Sequence, residues 1–396
     1  MALIVQKYGG TSLGSPQRIV AVAKRIARLR ADGHQAVVVV SAMGQSTDDL
    51  IELAHQVSQQ PAHREMDMLL TTGERISMAL LTMALTDLGV DAISLTGSQS
   101  GIITDQSHRR ARIKKILGDR IRTALKEDKV VIVAGFQGVS ETKEITTLGR
   151  GGSDTTAVAL ASVLSAELCE IYTDVDGVYS TDPRICSDAV LLPRLRSDLM
   201  IEMATRGAGV LHPRSVELAR QFGVALRVRN SLNETQGTEI VTGSMEEFRI
   251  AGVTADPNKF LIRVELMRPT VLSALWDQSG EAHLAVVAPV FLAGIVEFYA
   301  DRDSETEWKR LLERLSTEGF VNKYSFEMGL IPLSVVGDRF SQDGKALQEI
   351  MEVLSNEGVT IQHGQGGPLA VTVAIPATHL NEAVRCLHTK YLGAQQ

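Results

Sequence analysis

Three cysteines in 396 residues, Cys169, Cys186 and Cys386, are odd in number and too scattered for a disulfide framework or a zinc ligand set. They are expected to be simply packed, as thiols are in a reducing cytoplasm. Basic charge is also short: 40 Lys and Arg against 47 Asp and Glu leave a formal net charge of -7. A nucleic-acid backbone demands a basic face, so no nucleic-acid partner is expected and any anionic ligand must be met locally. No apolar run approaches the roughly 20 residues of a membrane span. The longest, "LAVVAPVFLAGIV", is interrupted by Pro289 and reads as buried strands. The opening "MALIVQKYGG" lacks the basic n-region of a signal peptide. A cytoplasmic protein without a membrane partner is the expectation. Two catalytic patterns are missing as well: the G-x-x-x-x-G-K-[ST] spacing of a Walker loop, and any obvious His-Asp or Ser-His pairing.

What is present is a globular composition, 44% hydrophobic and 22% charged, on a chain long enough for two or three domains. The first half alternates strand and helix signals. "ALIVQKYG" reads as a strand, and "SPQRIVAVAKRIARLRADG" as an amphipathic helix from Ser-Pro to Gly33. "QAVVVVSAM" is a continuous apolar run of the kind buried in a parallel sheet. Helix "TTGERISMALLTMALTDLG" and strand "DAISLTG" follow, then a basic helix over "SHRRARIKKILGDRIRTALKED". Strand "KVVIVAGF" leads through a polar excursion, "QGVSETKEITTL", to another helix, strand "CEIYTDV", the turn-rich "DGVYSTDPR", a helix and "VALRVRN". Repeated βα units predict an α/β fold with a mostly parallel central sheet and helices on both faces, ending near Gly237.

Beyond residue 237 the pattern changes. "FLIRVEL", "HLAVVAPV" and "AGIVEFYA" read as strands, and "SETEWKRLLERLSTEG" as a helix with a capping box from Ser304 to Glu307. Strand "IPLSVVG", helix "GKALQEIMEVLSNEG", strands "VTIQHG" and "LAVTVAI" and helix "HLNEAVRCLHTKYLG" repeat the scheme. Two rounds of β-α-β-β-α predict paired α+β ferredoxin-like modules, 238–330 and 331–396, after a domain spanning 1–237.

Two glycine loops carry the chemistry. "KYGGTS" follows the first strand, where Gly9 and Gly10 let the backbone approach a ligand and Lys7 offers a charge for a phosphoryl group. Taken alone, it reads more readily as a tight turn with a surface lysine. "TTLGRGGSDTTAVALA" wraps Arg150 in Gly149, Gly151 and Gly152, then opens a helix with Ser153 and Asp154. A planar guanidinium suits a carboxylate, while Asp154 also fits a plain helix N-cap. Asp174 and Asp176 could suggest metal ligands, but Asp176-Gly177 is foremost a turn signal. His212, in "LHPRS", reads as a packed or capping histidine.

The ordered set "KYGGTS", "VVVVSAMGQSTDDL", "TTGERISMALL", "GFQG", "TTLGRGGSDTTA" and "YTDVDGVYSTDPR" resembles the aspartate kinases of the amino-acid kinase family. The C-terminal part is similar to that family's tandem regulatory ACT domains. The resemblance implies transfer of the γ-phosphoryl group of ATP, with Mg²⁺, to the β-carboxylate of L-aspartate. That is the first step towards lysine, threonine and methionine. It implies that Lys7, Tyr8, Gly9, Gly10 and Ser41 serve the nucleotide's phosphate side, with Thr173, Asp174, Tyr179 and Arg184 also on the nucleotide. Thr47, Glu74, Arg150, Gly151, Gly152 and Ser153 would hold the amino acid, and Lys7, Arg150 and Asp154 would be catalytic, Asp154 orienting Lys7. No general base is needed, because a carboxylate with a pKa of about 4 is already ionised.

Where family members carry a lysine, this chain has Gly209, and Arg206 or Arg184 is the candidate substitute. The Pro-Gly turn of ACT helices is reduced to "RPT" at 268–270 and "QDGKA" at 342–346, so lysine or threonine as effector stays open. The modules imply a homodimer or higher homo-oligomer. No later G-x-G-x-x-G unit suggests a fused dehydrogenase. Two other readings stand beside this one: a kinase for another acceptor such as glutamate, and a catalytically silent amino-acid sensor.

Overall fold

The computed structural model describes residues 1–242, 250–282, 284–340 and 345–393; most of the expected 342–346 turn lies outside them. Contacts divide the chain into two compact units. Met1–Val178, Leu191–Ile201 and Val210–Gly243 form the first, and Tyr179–Val190, Glu202–Gly209 and Ser244–Gln396 the second.

In the first unit the chain runs β1 (Leu3–Tyr8), α1 (Pro16–Ala31), β2 (Gln35–Val40), α2 (Ser46–Val57), α3 (His63–Asp87) and β3 (Ala92–Leu95). Next come β4 (Ile102–Thr104), β5 (Ile113–Ile116), α4 (Asp119–Lys126), β6 (Val130–Ala134), β7 (Gln137–Ser140) and β8 (Ile145–Thr147). It continues through α5 (Gly152–Val163), β9 (Leu168–Thr173), β10 (Arg194–Arg196), α6 (Ser197–Thr205, shared with the second unit), α7 (Pro213–Phe222), β11 (Leu226–Asn230) and β12 (Thr238–Val241). An eight-stranded sheet has the order β10-β12-β11-β9-β1-β2-β6-β3. Its strands from β11 to β3 are parallel, while β12 turns back on β11. The expected mostly parallel sheet is therefore present.

Local chemistry explains the framework. Ser15 caps α1 by accepting from the Arg18 N–H, Pro16 opens it, and Gly33 follows its end at φ +86°. The helix buries Ile19, Val22, Ala23 and Ile26, which share a core with Tyr8, Val38, Val40, Ile132, Leu81 and Leu85. β2 and β6 are buried along nearly their whole length, as their unbroken apolar runs require. On the opposite face lies α5, with ten of its twelve residues buried.

Two expectations are corrected. "SHRRARIKKILGDRIRTALKED" is not one helix. Residues 107–112 are irregular, Ile113–Ile116 pair antiparallel with β4, and Gly118 at φ +70° separates that strand from α4. The excursion at 137–148 is the hairpin β7–β8, completing a second sheet, β5-β4-β7-β8.

The second unit contains β13 (Ile250–Ala255), β14 (Lys259–Leu266), α8 (Leu272–Glu281), β15 (Val287–Leu292), β16 (Ile295–Asp301), α9 (Glu305–Thr317) and β17 (Val321–Glu327). It ends with β18 (Leu330–Gly337), α10 (Lys345–Asn356), β19 (His363–Gly366), β20 (Ala370–Pro376) and α11 (Leu380–Leu392). The antiparallel sheets are β15-β16-β14-β17 and β13-β18-β20-β19. The latter draws its edge strand, β13, from ahead of the former. Each sheet has its own helix-covered core, one around Trp308 and Phe298 and one around Ile331, Val373 and Leu387. The capping box at Ser304 does not form: its hydroxyl turns back to donate to the Asp301 carbonyl from a 3₁₀ turn. All three cysteines are free thiols, as expected.

Candidate active site

Four parallel strands deliver the candidate residues to one edge of the main sheet. Lys7 is penultimate in β1, Ser41 follows β2, Gly135 follows β6, and Thr173 closes β9. Tyr8 lies in register with Val40 and Tyr172, so these ends stand side by side at the strands' carboxyl termini. That is where open α/β sheets bind ligands.

Lys7 alternates with Tyr8 and so points to the α5 face, where its Nζ lies 2.7 Å from Asp154 Oδ1. The two side chains are only 13% and 11% exposed, so water competes weakly for the pair and the ammonium is held in one direction. Tyr8 itself is core: its ring stacks on Tyr172 at 4.7 Å between centroids, and its hydroxyl donates to Gln6 Oε1. What Tyr8 offers the loop is its carbonyl, which accepts from the Ser41 N–H. Gly9 donates its N–H to the Tyr172 carbonyl, and its bare Cα leaves space beside the Lys7 ammonium. At Gly10 a Cβ would fall 2.9 Å from the Ala42 carbonyl oxygen, so only glycine lets the two loops touch.

Glu74 occupies the buried face of α3 and is 3% exposed. Its Oε1 accepts from the Ala42 N–H at 3.2 Å, while Oε2 has no partner among the described residues. Burial pushes this carboxyl up to about 7, against the pull of its backbone hydrogen bonds. Gly73 makes the approach possible, since a Cβ there would lie 2.7 Å from that of Ala42. Thr47 is half-buried in the first turn of α2.

The glycine-wrapped turn has a partner for each glycine. Gly149 and Gly151 adopt φ +75° and +67°. A Cβ on Gly151 would lie 2.2 Å from the ring of His212, one on Gly152 2.8 Å from Phe136, and one on Gly149 2.9 Å from the Arg109 carbonyl. The glycines thus admit neighbouring protein groups. Arg150 stands exposed at the tip, four residues before Asp154 at the same helix start, and Ser153 is packed against Gly135. His212 caps α7, its Nδ1 accepting from the Arg214 N–H, in keeping with its sequence reading. Burial, with Arg214 and Arg150 adding to it and Asp154 opposing, holds its imidazole below the usual histidine range.

On the β9 side, Thr173 donates its hydroxyl to Asp174, which is exposed. Asp176 accepts from the side-chain amides of Asn230 and Asn233, both at 2.7 Å, as a turn-holding residue does. Tyr179 and Arg184 belong to the second unit, where Arg184 pairs with Asp182 at 2.7 Å and draws that carboxyl down. Arg206 is also in the second unit, bonded to Glu202 at 2.7 Å and to Thr372. A Cβ at Gly209 would meet nothing within 4 Å among the described residues, so the position is sterically open to a side chain's first carbon. Among the described residues no group of three or more His, Cys, Asp or Glu is placed to hold a metal ion. None of their helices is long and apolar enough to cross a membrane.

Sequence reasoning missed Gly73, Gly135, Arg214 and Asp67. The first two were visible as glycines, but which backbone they admit is a non-local fact. Asp67 carried a fainter signal, an acid seven residues before Glu74 on the same apolar helix face.

The sequence profile of the Amino acid kinase family matches residues 2–230. The chain belongs to that family. This amino acid kinase is 42% identical to an aspartokinase of Geobacillus stearothermophilus over 413 aligned positions, covering 100% of this chain and 98% of the relative. It is 42% identical to an aspartate kinase of Pseudomonas putida over 401 positions, covering 99% and 98%. Among solved structures, aspartokinase III of E. coli in complex with aspartate and ADP superposes with a TM-score of 0.85 at 22% identity, covering 98% of this chain and 99% of that one, a likeness of fold. The kinase's first unit therefore follows its family's architecture, and the ferredoxin-like sheets of the second unit match the expected ACT modules in kind.

Proposed function

We propose that this amino acid kinase transfers the γ-phosphoryl group of ATP to the β-carboxylate of L-aspartate, giving 4-phospho-L-aspartate and ADP. The observation that carries the reading is the Lys7–Asp154 ion pair at the start of α5, the helix that the Arg150 turn leads into, beside the carboxyl ends of β1, β2, β6 and β9. In the transfer a carboxylate oxygen bonds to the γ-phosphorus as the bond to the β,γ-bridging oxygen breaks. No proton moves, so catalysis rests on alignment and on neutralising charge. Lys7, aimed by Asp154, meets the charge on the transferred group. Arg150 and Ser153 hold the substrate's α-carboxylate, and the unpartnered Oε2 of Glu74 awaits its ammonium. Thr47, Gly151 and Gly152 complete the amino-acid side. Ser41, the Tyr8–Gly10 backbone, Thr173 and Asp174 serve the nucleotide, with Tyr179 and Arg184 from the segment after β9. Mg²⁺ enters with ATP, whose phosphates carry most of its ligands.

The ACT modules, divided in sequence near residues 237 and 330, are proposed to bind an amino-acid effector such as lysine or threonine and to pair chains into a cytoplasmic homodimer. Trapping the acyl phosphate as hydroxamate tests the central claim. Wild type should turn over aspartate, and Lys7→Ala should lose activity by about 10²-fold or more while its circular dichroism stays unchanged. Wild-type rates in that variant, or faster turnover of glutamate than of aspartate, would overturn it.

A further inference from the structure

Asp67 is a buried acid bonded through both of its oxygens, and the mechanism above does not use it. It is fully buried on α3, two helical turns before Glu74 and on the same face. Its Oδ1 accepts from the Thr147 hydroxyl at 2.6 Å, Oδ2 lies 2.7 Å from His108 Nδ1, and both oxygens accept from the Arg109 N–H at 3.1 Å. Arg109 is held there with a positive φ of 67°, which a non-glycine residue adopts only under local constraint. The same stretch is tied to the end of β8 twice more. The Ala111 N–H donates to the Thr147 carbonyl, and Arg214 forks onto the carbonyls of Ala111 and Leu148.

The next residue is Gly149, the first glycine of the turn that carries Arg150. A Cβ on it would lie 2.9 Å from the Arg109 carbonyl oxygen and 3.4 Å from Arg110 Cγ. The turn thus rests directly on the carbonyl of Arg109, the residue whose N–H Asp67 grips. The two buried acids of α3 divide the work: Glu74 holds the loop after β2, and Asp67 holds the shelf beneath Arg150. A carboxylate suits the second task because three donors converge on it and the surrounding segment is rich in arginine.

We propose that Asp67 is a positioning residue for the acceptor amino acid, setting the Gly149–Arg150 turn through the Arg109 peptide and the Thr147 hydroxyl. The inference rests on the reading of Arg150 given above. Steady-state kinetics of the full-length protein with Asp67→Asn and Thr147→Val test it. The amide removes the charge and one accepting oxygen, whereas the valine removes a single hydroxyl. Asp67→Asn should raise KM for aspartate by about tenfold or more, leaving kcat and KM for ATP within about twofold, and Thr147→Val should move the same constant less. Should Asp67→Asn fail to fold, Thr147→Val alone decides by whether KM for aspartate rises. Unchanged KM for aspartate in the folded variants, or equal rises in both Michaelis constants, would overturn the inference. A wild-type protein that gives no hydroxamate from aspartate would overturn the underlying reading instead.

Discussion

Glu74 is an acid whose surroundings favour its neutral form. In the unfolded chain it would titrate like other glutamates, near 4.3. In the fold, burial raises it to about 7. The folded state therefore holds the proton more tightly, and stability from this group is complete below the unfolded value and lost as pH rises through about 7. A bound ammonium reverses the preference, because it needs the carboxylate. Aspartate binding near pH 7 should then release a proton, visible as a dependence of calorimetric enthalpy on buffer ionisation heat, and affinity should rise as pH climbs through 7. Glu74→Gln should abolish both effects and weaken binding by about tenfold or more. A wild-type enthalpy independent of buffer would remove the proposed role. Reading the sequence brought Lys7 and Arg150 forward because charged residues among glycines suggest ligands, and Glu74 through the family resemblance alone. It could not bring forward Asp67, whose partners lie 41 to 80 residues away.

At the level of elements, regular pieces were readable and the irregular connection was not. α1 announces itself through a capping serine, an N1 proline, a four-residue apolar face and a closing glycine. Residues 107–126 carry equally good helix formers, yet the three-residue strand β4 recruits Ile113–Ile116 by antiparallel pairing, and the Asp67 contacts hold 108–109 open. Tertiary pairing overrode propensity there. The start of α5 shows a similar division: its glycines were evident, but their partners were not. Gly151→Ala should be the harshest small change in the turn, since it combines a positive φ with a Cβ placed 2.2 Å from the His212 ring. A loss on the order of 1–3 kcal/mol is expected from the denaturation midpoint, with activity falling further because the ring or Arg150 must shift. A variant as stable and active as wild type would show that His212 moves aside freely.

Across the whole chain, periodicity identifies strands but cannot say which ones pair. The second unit makes the point: β13 was not read as a strand, yet it lies antiparallel to β18, with Val253 opposite Val335 across some eighty residues of intervening chain. β13 completes the edge of a four-stranded sheet whose other three strands belong to one β-α-β-β-α unit, and Val253 is 1% exposed within that unit's core. The other sheet builds its core from a separate set around Phe260, Phe298 and Trp308. Val253→Thr keeps the shape and buries a hydroxyl, which costs about 1–3 kcal/mol. Hydrogen exchange should then quicken at Leu333 and Val335 on β18 and at Val373 on β20, while amides of Ile262 and Val264 on β14 stay protected. Equal loss of protection on β14 would mean that the two sheets open as one body, and that β13 binds the unit together rather than completing a single module.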